Sequence, residues 1–400
     1  MLWFITLILY KGALMEKRPK YLSAEFFLYG LAILILSTLV LAAIGCEKKE
    51  TPIKVGFVGG LTGRLSDLGT AGRNGVILAV EEINDKGGIN RRPVELIVKN
   101  DKQNPEEALR VDRELVDAGV VAIIGHMTSS MSIVAIPFIN KQKVLMISPT
   151  TSTNKLTGID DYFIRVIPPN KSQTDHLASH AHKVMGLKKM AAIYDLSNRA
   201  YTEEYFNNFK DALEGLGGKI NYVETFTSGK DVDFAKSADS LLKSYPDGVL
   251  IVTGGPDAAM ISQHIRMAGS KVPIFSCGWA MTADLIRDGG PAVEGVVFSQ
   301  LFDRKSRQKT YLEFRKRFEE RFGETPNFAA AHGYEATLAL FKALSKNADP
   351  QELKATLLAQ NIFEGVRGNF MVDQYGDPQR EHFLIAVENG QFKTVENVHK

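Results

Sequence analysis

The chain has 400 residues, with 48 Lys+Arg against 46 Asp+Glu, 44% hydrophobic residues and 2 Cys. At roughly 100–200 residues per domain this length supports two domains or three, each with its own core. A net charge of +2 with no long basic run gives little attraction for a phosphate backbone, so no nucleic-acid partner is expected, and two cysteines make neither a disulfide scaffold nor a four-thiolate metal site.

In chain order, the first feature is Phe26 to Gly45, an apolar run without a charge, preceded by Lys17, Arg18 and Lys20 and followed at once by Cys46. A basic start, an apolar middle and a small-residue exit make a secretory signal, although a run of about 20 apolar residues is also long enough to span a bilayer uncleaved. Ala43-Ile44-Gly45-Cys46 resembles a bacterial lipobox, with Ala where Leu is usual, and favours the first reading. Residues 1–45 are therefore expected to be a signal peptide of lipoprotein type, Cys46 the lipid attachment point, and residues 46–52 a charged tether. Met15-Glu16-Lys17-Arg18 makes a more natural start than Met1. Removal of residues 1–45 takes away Lys11, Lys17, Arg18 and Lys20 against Glu16 and Glu25, which leaves 44 basic and 44 acidic residues, a formally neutral exported chain.

From Ile53 onward short β-branched runs alternate with amphipathic segments. IKVGFV (53–58), VELIV (94–98), VVAIIG (120–125) and VLMIS (144–148) read as strands. Between the first two, Val76, Val80 and Ile83 share one helix face that stops at Gly87-Gly88, and the next helix starts on Asn104 as N-cap with Pro105, Glu106 and Glu107 in its first turn. The rhythm breaks near Arg165 to Asn170 and restarts with MAAIYD (190–195), KINYVETF (219–226), GVLIVTG (248–254), PIFSC (273–277) and GVVFSQ (295–300). Helices are expected at 307–322, 328–346 and 350–360, and Asn389-Gly390 marks a hairpin turn. Strands that read as continuous apolar runs between helices predict parallel sheets covered on both faces, here as two α/β lobes in tandem.

Ligands bind beyond the carboxyl ends of such strands. In the first half those ends carry Gly59 to Gly63, Gly125 to Ser130 and Ser148 to Thr153, a rim of hydroxyls and glycine amides suited to a carboxylate without a cationic side chain. In the second half they carry Asp195 and Tyr201, Gly254 to Asp257, and Cys277-Gly278-Trp279, which leaves Cys277 as a lone thiol facing the expected cleft.

Three stretches, GGLTGRLSDLGTAGRNGVILAVEEINDKGGI (59–89), IIGHMTSSMS with LMISPTTST (123–153) and FEGVRGNFMVDQYGD (363–377), resemble the leucine/isoleucine/valine-type periplasmic binding proteins, the type I solute-binding proteins of ABC amino-acid importers. The resemblance covers about residues 53–396. It implies an α/β fold of two doubly wound parallel-sheet lobes joined by a three-strand hinge. Lobe 1 would be 53–170 plus 303–362 and lobe 2 171–302 plus 363–400, with crossovers near 170, 302 and 362. It also implies an exported, monomeric receptor, periplasmic or lipid-anchored at the outer face of the membrane, that binds a branched-chain amino acid or another small carboxylate and delivers it to an inner-membrane ABC permease, with no cofactor.

By the same resemblance Ser129 holds the ligand carboxylate with hydroxyl and amide, Thr150 contributes backbone groups, and Ser152 keeps the hydroxyl of a threonine that touches carboxylate and ammonium. Thr151 belongs to the same loop, and Tyr201 reaches the ligand from the second lobe. Where amino-acid binders carry an acid for the ammonium, this sequence has Ser276 to Trp279, so Asp257 or Asp195 substitutes or the ligand lacks an ammonium. Trp279 is expected as an apolar wall. Leu68 stands near a position often aromatic, and Gln103 and Thr128 occupy the places of a disulfide found in some relatives.

Other classes fit less well. No G-x-S-x-G elbow supports a hydrolase, so no enzyme activity is expected. His176, His180 and His182 lack third and fourth partners at fixed spacing for a metal, and GGLTG has neither dinucleotide nor P-loop spacing. Receptor ectodomains of this fold continue into a membrane span and a signalling domain, whereas this sequence closes at Lys400.

Overall fold

A computed structural model of the chain describes residues 28–31, 50–302 and 306–397, so Cys46 and most of the expected signal lie outside the described residues. By contacts the chain divides into Met1–Glu50 and Thr51–Lys400. In the first unit residues 28–31 are helical. Among the described residues no helix is long and apolar enough to cross a membrane.

The second unit holds two principal sheets. The first is built from β1 (Ile53–Gly59), β2 (Val94–Asn100), β3 (Ala122–Ile124), β4 (Leu145–Ser148) and β5 (Phe163–Arg165), all parallel, in the order β2-β1-β3-β4-β5. Between them run α1 (Asp67–Asp85), α2 (Pro105–Asp117) and α3 (Ser129–Gln142). The expected caps are in place. The Asn104 side chain accepts from the Glu106 and Glu107 amides at 2.9 and 3.1 Å, and α1 ends where Gly87 and Gly88 take positive φ.

After Arg165 the chain passes through α4 (Lys171–Ser179) into β6 (Lys189–Asp195), α5 (Arg199–Gly215), β7 (Lys219–Phe226), α6 (Phe234–Lys243), β8 (Gly248–Val252), α7 (Gly255–Met267), β9 (Ile274–Ser276), α8 (Ala283–Gly289) and β10 (Val297–Gln300). The second sheet runs β15-β14-β10-β9-β8-β6-β7. Its five-strand parallel part repeats the strand order of the first sheet. The central strand β8 is buried at every residue, whereas the edge strand β7 alternates between exposed and half-buried positions, as expected for a strand with one wet face.

The antiparallel extension is β14 (Phe383–Glu388) and β15 (Gln391–Asn397), joined by Asn389 and Gly390 at φ 53° and 67°. Two consecutive positive φ values define the type I′ hairpin that the Asn-Gly pair predicts.

α9 (Lys309–Phe322) and α10 (Phe328–Lys346) return to the first sheet, where α10 packs along α1. Glycines make that crossing close: a Cβ on Gly75 would sit 2.0 Å from the Ala330 carbonyl oxygen, and one on Gly333 2.4 Å from that of Gly72. After α11 (Leu353–Leu358), a small antiparallel sheet of β11 (Ile362–Phe363), β12 (Phe370–Val372) and β13 (Pro378–Gln379) precedes β14. Buried ion pairs tie this return segment to earlier chain. Arg165, fully buried, donates from Nε to Asp377 at 2.7 Å, and Arg380 donates to Glu335 at 2.6 Å.

Sequence runs thus located β1 to β4 and β6 to β10, and of β14 and β15 only the turn between them. The short elements β5 and β11 to β13 carry too few residues for a periodic signal.

Candidate functional site

The carboxyl ends of both parallel sheets open onto one cavity of about 30 Å³. From the first lobe, Leu68 comes from the first turn of α1, Met127 and Ser129 from the turn after β3, and Thr150 and Ser152 from the loop after β4. From the second, Asn198 and Tyr201 come from the start of α5, Gly278 and Trp279 follow β9, and Gln300 ends β10. Ile167 and Gln173 from the connecting segment and Phe328 at the start of α10 complete the wall.

The two sides differ in chemistry. Ser129 opens α3, so its amide lies among the first-turn donors of a helix N-terminus, where partial positive charge favours an anion. The Thr150 hydroxyl donates to the Met127 carbonyl and joins the two hydroxyl loops. Opposite, Tyr201 and Trp279 meet edge to face with centroids 6.2 Å apart. Trp279 Nε1 and Gln173 Nε2 are buried donors without a hydrogen-bond partner.

The lobes meet across the cavity mouth. Ser130 donates its amide to Asn198 Oδ1 at 3.1 Å, and Ser130 Oγ accepts the Ala200 amide at 3.2 Å. Glu204 of α5 accepts from Thr153 Oγ1 and the Asn154 amide, both at 2.7 Å. Asp67 of α1 packs against Thr282 and Asp284 at the start of α8; burial above all, with the Asp284 charge, raises its carboxyl to about 6.

Of the residues singled out from sequence, Leu68, Ser129, Thr150, Ser152, Tyr201 and Trp279 lie together on the cavity wall. Four expectations need correction. Thr151 is fully buried, and its hydroxyl shares a 2.7 Å hydrogen bond with Ser132 and reaches the His126 carbonyl at 3.3 Å. In an extended loop neighbouring side chains point to opposite sides, so Thr150 and Ser152 face the cavity and Thr151 faces away. Asp257, in the first turn of α7, is off the wall as well: Arg64 from the first lobe binds its Oδ1.

Cys277 does not face the cleft. It is fully buried behind Tyr201, donates to the Thr253 carbonyl at 3.4 Å, and burial pushes its thiol up. Asp195 is spent in the same way, accepting the Ser197 and Ser228 amides at 2.9 and 2.8 Å. Among the described residues no carboxylate lines the cavity, and no group of His, Cys, Asp or Glu is placed to hold a metal ion.

Residues missed from sequence are Met127, Ile167, Gln173, Asn198, Gln300 and Phe328. Gln300 was accessible to the strand-end argument, because it closes β10. Phe328 was not, since it reaches the site from a helix about 200 positions after Met127 in the sequence.

A family model described as Periplasmic binding protein matches residues 52–391. The chain is 25% identical over 341 residues to a leucine-, isoleucine-, valine-, threonine- and alanine-binding protein of Pseudomonas aeruginosa, covering 83% of this chain and 89% of that one. It is similar in structure to a leucine-binding protein of Thermotoga maritima, with a TM-score of 0.80 at 26% identity over 86% of this chain and 98% of the other. A solute-binding protein of R. palustris in complex with benzoate has the same fold at 20% identity, with a TM-score of 0.79 over 86% of this chain and 96% of that one.

Proposed function

This chain belongs to the periplasmic binding protein family, and from that premise we propose that it is the extracytoplasmic solute receptor of an ABC importer, holding a branched-chain amino acid between two closing lobes. The observation that carries this reading is the cavity itself, where the hydroxyl and helix-end wall of Ser129, Thr150 and Ser152 stands opposite Tyr201 and Trp279. The first wall takes the carboxylate, and Leu68, Ile167, Phe328 and Trp279 surround an aliphatic side chain. No covalent step is needed, and the role is transport rather than catalysis.

In this reading the lobes divide at about 170, 302 and 362, where the chain crosses between sheets, and those crossings bend as the lobes close. The solute stabilises the closed form, which the permease recognises. Cys46 carries the lipid that retains the receptor at the membrane, and Cys46→Ser releases it; retention of that variant contradicts the anchor.

A second reading rests on the absence of any carboxylate among the described cavity-lining residues. An ammonium buried there would meet amides, aromatic rings and hydroxyls but no anion, which is costly, while Trp279 Nε1 and Gln173 Nε2 offer donors to an acceptor. A carboxylate with a keto or hydroxyl oxygen in place of the ammonium fits those donors.

Thermal unfolding against L-leucine, L-isoleucine, L-valine, 4-methyl-2-oxopentanoate and benzoate separates the readings. A solute at a hundredfold excess over its Kd adds about 2.7 kcal/mol, a rise of about 3–4 °C for a chain of this size. A larger rise with leucine than with its keto counterpart supports the first reading, the reverse order supports the second, and no rise with any of them rejects both.

A further inference from the structure

His126 lies in the turn after β3, fully buried, and its side chain does not touch the cavity. Its ring is nonetheless gripped from two directions. Nδ1 lies 2.8 Å from Asp101 Oδ2 in the turn after β2, and Nε2 lies 3.2 Å from both oxygens of Asp112 in α2. Its carbonyl oxygen accepts from Ser148 Oγ at 2.7 Å and from Thr151 Oγ1 at 3.3 Å. One residue therefore joins β2, α2, the turn that carries Ser129 and the loop that carries Thr150 and Ser152.

We propose that His126 is a positioning residue for the hydroxyl wall, its ring fixing the 125–129 turn against Asp101 and Asp112 while its carbonyl seats the 148–153 loop on the same support. The residues on either side of the anchor do the work at the cavity. Met127 lines it and accepts the Thr150 hydroxyl, and Ser129 starts α3. Thr151, expected at the ligand, instead serves as a staple between the loop, Ser132 and the His126 carbonyl.

The chemistry of the ring accounts for the strength of the seat. A neutral imidazole has one N–H and donates to one side only, whereas two facing carboxylates each need a donor, so the doubly protonated ring is the form that satisfies both. Burial by itself pulls the ring pKa down, but Asp112 and Asp101 outweigh it and raise it to about 10. The titratable groups facing the ring are these two carboxylates; hydroxyls face its carbonyl. A site held by residues that are themselves locked loses affinity when its support loosens, even though no contact to solute is removed.

The test uses the full-length chain in detergent with 13C-methyl methionine labelling, reading the Met127 methyl signal without solute from pH 6 to 11, and calorimetry with L-leucine as probe at pH 7. In the wild type the Met127 signal is expected to move with a midpoint near pH 10, and Asp112→Asn to lower that midpoint by about one unit or more. His126→Gln is expected to weaken L-leucine binding about tenfold or more in protein that is still folded at the measuring temperature. A Met127 signal that stays flat across the range overturns the proposal, as does a His126→Gln variant that loses thermal stability while its leucine Kd stays within about twofold. If His126→Gln does not fold, the Met127 titration in the wild type and Asp112→Asn decides. The choice of probe rests on the function proposed above: a wild type that ignores L-leucine refutes that reading, and the Met127 titration then judges the positioning role separately.

Discussion

The two parallel sheets share one strand order, yet what they hold over their carboxyl edges differs. The first presents hydroxyls, glycine amides and the start of α3; the second presents Tyr201, Trp279 and the amides of Asn198 and Gln300. The difference teaches that duplicated topology fixes where a site forms but not its chemistry, which comes from loop residues. One wall is polar and suited to an anion. The other is aromatic, its two rings set edge to face, and suited to covering it.

Five substitutions probe that contrast. The largest effect is expected at the buried pair between β5 and the return segment: Arg165→Ala strands Asp377 without its guanidinium partner and removes the donor to the Thr153 carbonyl at 2.8 Å. Breaking a buried ion pair costs about 3–5 kcal/mol, read as a shift in urea midpoint. An unchanged midpoint would show that this pair does not hold the return segment to β5.

Next comes the aromatic wall. Trp279→Ala removes most of one side of the cavity and is expected to cost about 2 kcal/mol or more in solute binding, roughly thirtyfold in Kd by calorimetry. Ser129→Ala is expected to weaken binding by about 1.5–3 kcal/mol, the range for a hydrogen bond to a charged group. Thr151→Ala supplies its contrast, lowering stability and leaving the solute without any lost contact. If Ser129→Ala binds as the wild type does, the polar wall is not the anion site.

The smallest expected effect lies at the mouth. Asp67 is raised to about 6 from 3.8, chiefly by burial, where it packs beside Thr282 and Asp284. A raised carboxyl pKa means that closure takes up a proton, so closure is favoured as pH falls through about 6 and opposed by the ionised group above it. Solute affinity is therefore expected to improve a few-fold from pH 7.5 to 5, and Asp67→Asn to flatten the profile. Asp284, paired with Arg287, and Glu324 face the same recess, and a slope that survives in Asp67→Asn would show that Asp67 does not carry it.

Much of this was legible in the sequence because burial on both faces leaves a plain mark. GVLIV is apolar at every position and became the central strand β8, and Asn104, Pro105 and the acidic pair after them placed the start of α2. The strand-end rule gathered the loops 125–130 and 148–153 before any geometry, and the family resemblance picked Ser129, Thr150 and Ser152 out of them. It failed where direction or distant pairing decides. Nothing in Thr150-Thr151-Ser152 tells which hydroxyl turns inward. Asp257 reads as a free acid until Arg64, 193 positions away, is seen to hold it. Cys277 sits at a strand end yet lies behind Tyr201, because the turn after β9 sends Trp279 forward instead.

The account turns on one claim, that a carboxylate solute lies between the two walls with its anionic end at Ser129. A crystal structure of the chain grown with L-leucine tests it most directly. The account predicts the leucine carboxylate within hydrogen-bond distance of the Ser129 hydroxyl and amide, its side chain against Leu68 and Trp279. A bound leucine turned end for end, with its carboxylate at Trp279, or a cavity left without leucine at saturating concentration, would contradict it.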